Sequence, residues 1–274
     1  MRSHPTAVVH PKAHIADDVV IGPYSVIDEH VEIGSGTRIA NHVTITGFTS
    51  IGHNNDIAPS AVIGTIPQDM KFRGETSYVR IGDDNDIREF VTIHRGTALG
   101  GGETRMGHRN LVMAYCHVAH DCLLDDDIVL ANNTVLAGHV KIESFARVGG
   151  MVAIHHFVAI GRHAFVGGFS RISRDVPPFM IVEGNPARVR GLNLVGLKRA
   201  HFDDARINAI KDAHRIIFRQ EPVQEKAFQR IRENGSLTED VAYLIGFLQK
   251  TASGKMGRAR EALRQDLPGT RGEE

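Results

Sequence analysis

Aliphatic residues recur every six positions along most of this chain. Val9, Ile15, Ile21, Ile27, Ile33, Ile39, Ile45, Ile51, Ile57 and Ile63 run in unbroken register; the phase resumes at Ile81, Ile87 and Ile93, and a shifted phase carries it from Met106 to Ile172. An α-helical face would recur at three and four residues, and six residues turn a helix through about 600°, so no helix accounts for the period. Small or β-branched residues stand four places after many anchors, among them Ala13, Ser25, Thr37, Val43, Cys116, Cys122 and Thr134. Two inward positions in six describe one short strand and one turn. Such units bury a continuous core only when many are stacked.

The pattern resembles the hexapeptide-repeat left-handed β-helix family over about residues 1–190. That resemblance implies a β fold, a left-handed parallel β-helix with three hexads per coil. Residues eighteen apart then share a column on coils about 4.8 Å apart. Two insertions, near 64–80 and 94–105, interrupt the repeat. It ends at Asp175-Val176-Pro177-Pro178, where two prolines withhold backbone donors. Beyond them Ile207, Ile210, His214 and Ile217 follow helical spacing after Asp203, and Ser236-x-x-Glu239 reads as a capping box ahead of Val241, Leu244, Ile245 and Leu248. We therefore expect a small α-helical domain over 191–274, its last ten or so residues mobile.

Composition narrows the partners. The 274 residues carry 32 Lys plus Arg against 32 Asp plus Glu, so no net field draws the chain to nucleic acid or an anionic membrane. No apolar run approaches the ~18 residues that span a bilayer, and Met1-Arg2-Ser3-His4-Pro5 leads into no signal-peptide core. The expectation is a cytoplasmic protein with no nucleic-acid partner and no integral membrane segment. Cys116 and Cys122 occupy small inward positions and read as core thiols, not as a disulfide framework or a zinc set.

A solenoid filled with aliphatic anchors has no internal pocket, so chemistry must lie outside the coil. The insertions are one place to look; the first carries Gln68-Asp69-Met70-Lys71. The sixteen histidines are another. Counting by eighteen puts His120, Gly138 and His156 in one column, Asp121, His139 and Phe157 in the next, and Ala119, Ala137 and His155 in the third. Four histidines thus share one corner. A neutral imidazole there suits removal of a proton from a hydroxyl, an adjacent Asp121 would hold its tautomer, and an N–H beside a glycine could meet an oxyanion. No Gly-x-Ser-x-Gly elbow is present, which favours direct attack without a covalent acyl-enzyme.

Gln68-Asp69-Met70-Lys71, Thr92-Ile93-His94-Arg95-Gly96-Thr97, His117-Val118-Ala119-His120-Asp121-Cys122, Leu130-Ala131-Asn132-Asn133, Ala137-Gly138-His139-Val140 and Val148-Gly149-Gly150-Met151 together resemble the UDP-N-acetylglucosamine O-acyltransferases. The similarity extends into Gly196-Leu197-Lys198-Arg199. It implies transfer of a 3-hydroxyacyl chain from acyl carrier protein to the sugar's 3-hydroxyl, the first step of lipid A biosynthesis, by a homotrimer with intersubunit sites. No metal or other cofactor is implied, the phosphopantetheine arriving on the donor. On matching positions His120 is the general base, Asp121 orients it, and Gly138 supplies the oxyanion donor. Asp69 and Lys71, with Gln68 nearby, hold sugar and phosphate from a neighbouring subunit. His117, His139, His155 and His156 line the substrates, Asn193 and Arg199 contact the nucleotide, and Gly168 leaves room for a longer acyl chain. His156, Val195 and Ala200 depart from the family's usual Gln, acidic and basic residues. Other readings of the same scaffold are a related N-acyl- or acetyltransferase, a zinc hydratase using His117, His120 and His139, and a non-enzymatic scaffold.

Overall fold

Residues eighteen apart sit opposite one another as parallel strands: Val20 faces Arg38, Val26 faces Thr44 and His14 faces Glu32. The computed structural model describes residues 1–263, and over them the chain winds through three sheets of eleven, nine and eight strands in which every third strand is a neighbour. We call these the first face, starting at Arg2–Ser3, the second, starting at Val8–Val9, and the third, starting at His14–Ile15. The anchors from Ile21 to Ile172 fill the interior in one cluster. Burial of each contributes about 1.5–3 kcal/mol, on top of the strands' ladder hydrogen bonds.

Each corner needs a left-handed residue, and this chain often uses aromatic ones. Phe90, Tyr115, His139, Phe145, Phe157 and His163 all have φ between 54° and 65°. That conformation costs an L-residue about 1–2 kcal/mol. Their rings stack on the coil above or below, Phe90 on Tyr115 at 4.9 Å, Phe145 on His163 at 4.7 Å and His139 on Phe157 at 4.3 Å. Stacking contributes about 0.5–1.5 kcal/mol per pair and offsets part of the strain.

Both insertions leave from the same corner, between the second and third faces. Pairing of Asp56 with Asp86 and of Asp86 with Leu111 absorbs them without losing register. Each is shorter than the break in the hexads suggests, because Val62–Thr65, Tyr78–Ile81, Thr92–His94 and Glu103–Met106 remain extended and paired. The loops proper are therefore 66–77 and 95–102. Inside these coils the inward positions are polar: Asn55, Asn85 and Asn110 are buried and form a ladder, with the Asn85 and Asn110 amides donating to the Oδ1 of the asparagine below at 2.9 and 3.0 Å.

Pro177 and Pro178 end the hexads but not the sheet. Val176 still bridges to Ile160, and Met180–Gly184 adds a parallel strand to the first face before pairing antiparallel with Ala187–Leu192. Helices α1 (Leu194–Arg199), α2 (Asp204–Arg215), α3 (Gln224–Glu233) and α4 (Glu239–Ala252) follow. They form a second core with Phe179 and Met180, which covers the open end of the solenoid. Asp203 caps α2 as expected, its side chain accepting from the Arg206 N–H at 2.8 Å. The capping box at Ser236 is not used. Thr238 caps α4 instead, which places Asp240 in the first turn, where Arg162 and Arg206 reach it at 3.1 and 2.8 Å. Helix α3 had no counterpart in the sequence reading. No helix among the described residues is long and apolar enough to cross a membrane. The expected mobile tail lies largely outside the described residues.

The ladder gives a stability prediction. Asn85→Ala strips partners from Asn55, Asn110 and the Gly107 carbonyl, all buried or part-buried. It should lower the unfolding free energy by about 2–4 kcal/mol in a denaturant titration, and a change under about 0.5 kcal/mol would show that the ladder is dispensable.

Candidate active site

The corner between the second and third faces carries, on five successive coils, loop 66–77, loop 95–102, Ala119-His120-Asp121, Ala137-Gly138-His139 and His155-His156-Phe157. Counting by eighteen placed the last three correctly. The corner ladder fixes their heights, His139 N–H donating to the His120 carbonyl at 3.0 Å and Phe157 N–H to that of Gly138 at 3.1 Å.

His120 and Asp121 form a dyad, Nδ1 to Oδ2 at 2.8 Å, with side-chain exposures of 13% and 0%. The imidazole lies across Gly138: a Cβ there would stand 2.5 Å from His120 Cε1 and 2.6 Å from Nε2. Only glycine fits. Among the described residues neither His120 Nε2 nor the Gly138 N–H has a hydrogen-bond partner. His139 crosses His120 edge-on at 5.1 Å, its Nδ1 3.8 Å from Asp121.

Loop 95–102 supplies what the repeat cannot. The Thr97 N–H and hydroxyl donate to the two Asp121 oxygens at 2.8 and 2.7 Å. Thr104 accepts from the Asp121 N–H at 2.8 Å. Gly100 passes so close that any Cβ would overlap the carboxylate. Sequence reasoning assigns Thr97 no role although it lies in the Thr92–Thr97 motif; the signal for it is that a buried acid on a turn needs donors. The loops are tied together as well, Ala98 N–H donating to Glu75 at 3.2 Å and the Arg95 guanidinium lying 5.6 Å from the Phe72 ring.

The neighbouring histidines are less basic than usual. Burial pushes His117 down to about 4, with His94 and His120 adding to the effect, and its Nδ1 meets the Thr92 hydroxyl at 2.7 Å. Burial also lowers His139, against the opposing pull of Asp121, and lowers His94 and His155. Asp69 is close enough for its charge to act on His139 of its own chain, and its Oδ1 accepts from the Lys71 N–H at 2.9 Å. Gln68 is exposed on the same loop.

Other expected site residues lie elsewhere. Asn193 is buried as the cap of α1, accepting from Gly196 N–H and donating to the His163 carbonyl, both at 3.0 Å, so its amide is already engaged. Arg199 is exposed in the last turn of α1. Gly168 is exposed at the opposite edge of the second face, directly above Gly150. Among the described residues two groups bring ligand atoms within 4.8 Å of one another, His120 with Asp121 and His139, and His155 with His156 and Glu261. His117 joins neither.

A parallel β-helix of hexads with a histidine–carboxylate dyad on an outer corner defines a hexapeptide-repeat transferase, and residues 12–47 match the bacterial transferase hexapeptide model. Residues 175–256 match the model of UDP N-acetylglucosamine O-acyltransferase domain 2. A relative from Verminephrobacter eiseniae, named acyl-[acyl-carrier-protein]–UDP-N-acetylglucosamine O-acyltransferase, is 47% identical over 92% of this chain and 97% of its own. Two solved UDP-N-acetylglucosamine acyltransferases are similar throughout. That of Bacteroides fragilis is 38% identical with a TM-score of 0.88, over 90% of this chain and 96% of its own. That of Francisella novicida is 34% identical with a TM-score of 0.87, over 99% and 100%. This chain belongs to the UDP-N-acetylglucosamine O-acyltransferase family, and its coil is the left-handed β-helix of that family.

The electrostatics can be checked at His117. Burial disfavours its imidazolium, so its contribution to stability is present above about pH 6.5 and is lost as pH falls through about 4. An NMR titration of the folded protein should give a His117 midpoint near 4. A midpoint at 6.5 or above would contradict the buried, neutral ring.

Proposed function

We propose that this chain transfers a 3-hydroxyacyl group from acyl carrier protein to the 3-hydroxyl of UDP-N-acetylglucosamine, the reaction that opens lipid A biosynthesis. The observation that carries the proposal is the His120–Asp121 dyad lying across Gly138, in a chain whose relatives are named for this reaction. The Asp121 hydrogen bond puts the ring hydrogen on Nδ1 and leaves the Nε2 lone pair to accept a proton. Nε2 takes the acceptor's hydroxyl proton as the oxygen attacks the thioester carbonyl. The Gly138 N–H receives the developing oxyanion. Collapse breaks the carbon–sulfur bond, and His120 returns its proton to the departing thiolate. No metal or other cofactor enters this scheme, and the phosphopantetheine belongs to the donor.

Substrate positions follow the corner. His117, His139, His155 and His156 line it, and Asp69 and Lys71, with Gln68 beside them, serve the sugar and phosphate. We assign Asn193 and Arg199 to the nucleotide end, Asn193 through its ordering of α1. We assign Gly168, exposed above Gly150, to the acyl-chain end, where the absence of a side chain leaves room for a longer chain. Five of the nine outward positions of the second face are apolar (Val8, Val26, Val62, Val135 and Ala153), beside Thr44, Thr92, His117 and Arg171, whereas the third face presents Glu32, Arg80, Arg105 and Lys141. An apolar strip of this kind fits a second copy, which supports a homotrimer with intersubunit sites. We also propose that the protein is cytoplasmic.

Incubation with UDP-N-acetylglucosamine and a panel of 3-hydroxyacyl carrier proteins, followed by mass spectrometry, should yield an O-acylated nucleotide sugar. His120→Ala should lower kcat by about 10²–10⁴-fold without loss of fold. No product with any donor, or full activity in His120→Ala, would sink the proposal.

A further inference from the structure

We propose that Glu261 is a positioning residue of the acyl-transfer site, acting through His156; this rests on the acyltransferase reading above. After α4 the chain doubles back onto the last coils, where Asp175 clamps it. The Asp175 carboxylate accepts from the Arg258 N–H at 2.9 Å and from the Ala159 N–H at 2.8 Å. Gly257 lies so close that a Cβ would come within 2.5 Å of the same carboxylate. The short helical turn Arg258–Leu263 is thereby laid against the catalytic corner.

Two side chains of that turn reach the histidine columns. The Arg260 guanidinium lies 5.5 Å from the Phe157 ring, which stacks on His139 at 4.3 Å. Glu261 Oε1 meets His156 Nε2 at 2.6 Å, and its other oxygen pairs with Arg258. The His156 ring in turn lies 3.9 Å from that of His155. A surface imidazole without a fixed acceptor samples several rotamers and both tautomers. Glu261 selects one rotamer, places the hydrogen on Nε2 and so fixes the ring against which His155 rests.

The three groups are also near enough to share a cation. Arg258 already engages Glu261, the one carboxylate of these three groups, however, and Arg258 and Arg171 both act on His155 to disfavour positive charge. That surround opposes a divalent ion and suits a carboxylate that serves only to orient.

The test is a double-mutant cycle in the full-length protein, with kcat and KM measured for both substrates and thermal unfolding recorded alongside. Glu261→Ala should lower kcat/KM by about tenfold with an unchanged unfolding midpoint, and Glu261→Gln, which keeps the acceptor oxygen, should recover most of it. On a His156→Ala background Glu261→Ala should cost less than about twofold. Unaltered activity in Glu261→Ala, or equal losses on both backgrounds, overturns the proposal while leaving the acyltransferase reading intact. A wild-type chain inactive with every donor defeats that reading first.

Discussion

The hydrogen-bond ladder between residues one coil apart is the constraint on which everything else rests. Strands of two residues cannot fix a chain by themselves. Repeated at one spacing, and locked by an aliphatic anchor at every hexad, they define the height and direction of each corner residue. The same ladder therefore builds the core and aligns the chemistry. His120, Gly138 and His156 stand in line because the backbone above and below them has no other register available. Corner strain is the cost, and ring stacking along the columns meets part of it.

That regularity explains what could be read from the chain and what could not. The anchors disclosed the fold, and arithmetic on their period assembled the catalytic corner. Groups outside the period stayed hidden. Thr97 and Glu261 reach the corner from an irregular loop and from a segment more than a hundred residues away. The asparagine ladder was hidden differently: Asn55, Asn85 and Asn110 occupy inward positions, but the pattern sought there was small or apolar. At α4 two cap-type residues stood two apart, and local propensity could not choose between them. The tie from Asp240 to Arg162 and Arg206 favours the later one.

Crowding histidines around a base raises an electrostatic question. Protonated neighbours would oppose formation of a positive charge on His120. Burial keeps His117 and His139 neutral instead, and the group in direct contact with the His120 ring is the Asp121 carboxylate, at 2.8 Å. A fully buried carboxylate would itself be costly without partners. Two donors from Thr97 and one from His120 satisfy it, which is why loop 95–102 is as much a part of the dyad as the acid.

A corner of a three-sided coil is convex, and a convex surface cannot enclose a substrate or exclude water. Walls have to be added. Loop 66–77 and loop 95–102 rise from the coils on one side, and the Arg258–Leu263 turn closes in from the other. The remaining open side adjoins the second face, with its exposed Val8, Val26 and Val135. Two of the walls reach the corner through a group that also restrains a functional side chain: Thr97 holds Asp121, and Glu261 holds His156. Enclosure and orientation are then one structural problem. On a scaffold this regular, catalytic geometry is set where the chain leaves the repeat and returns to it.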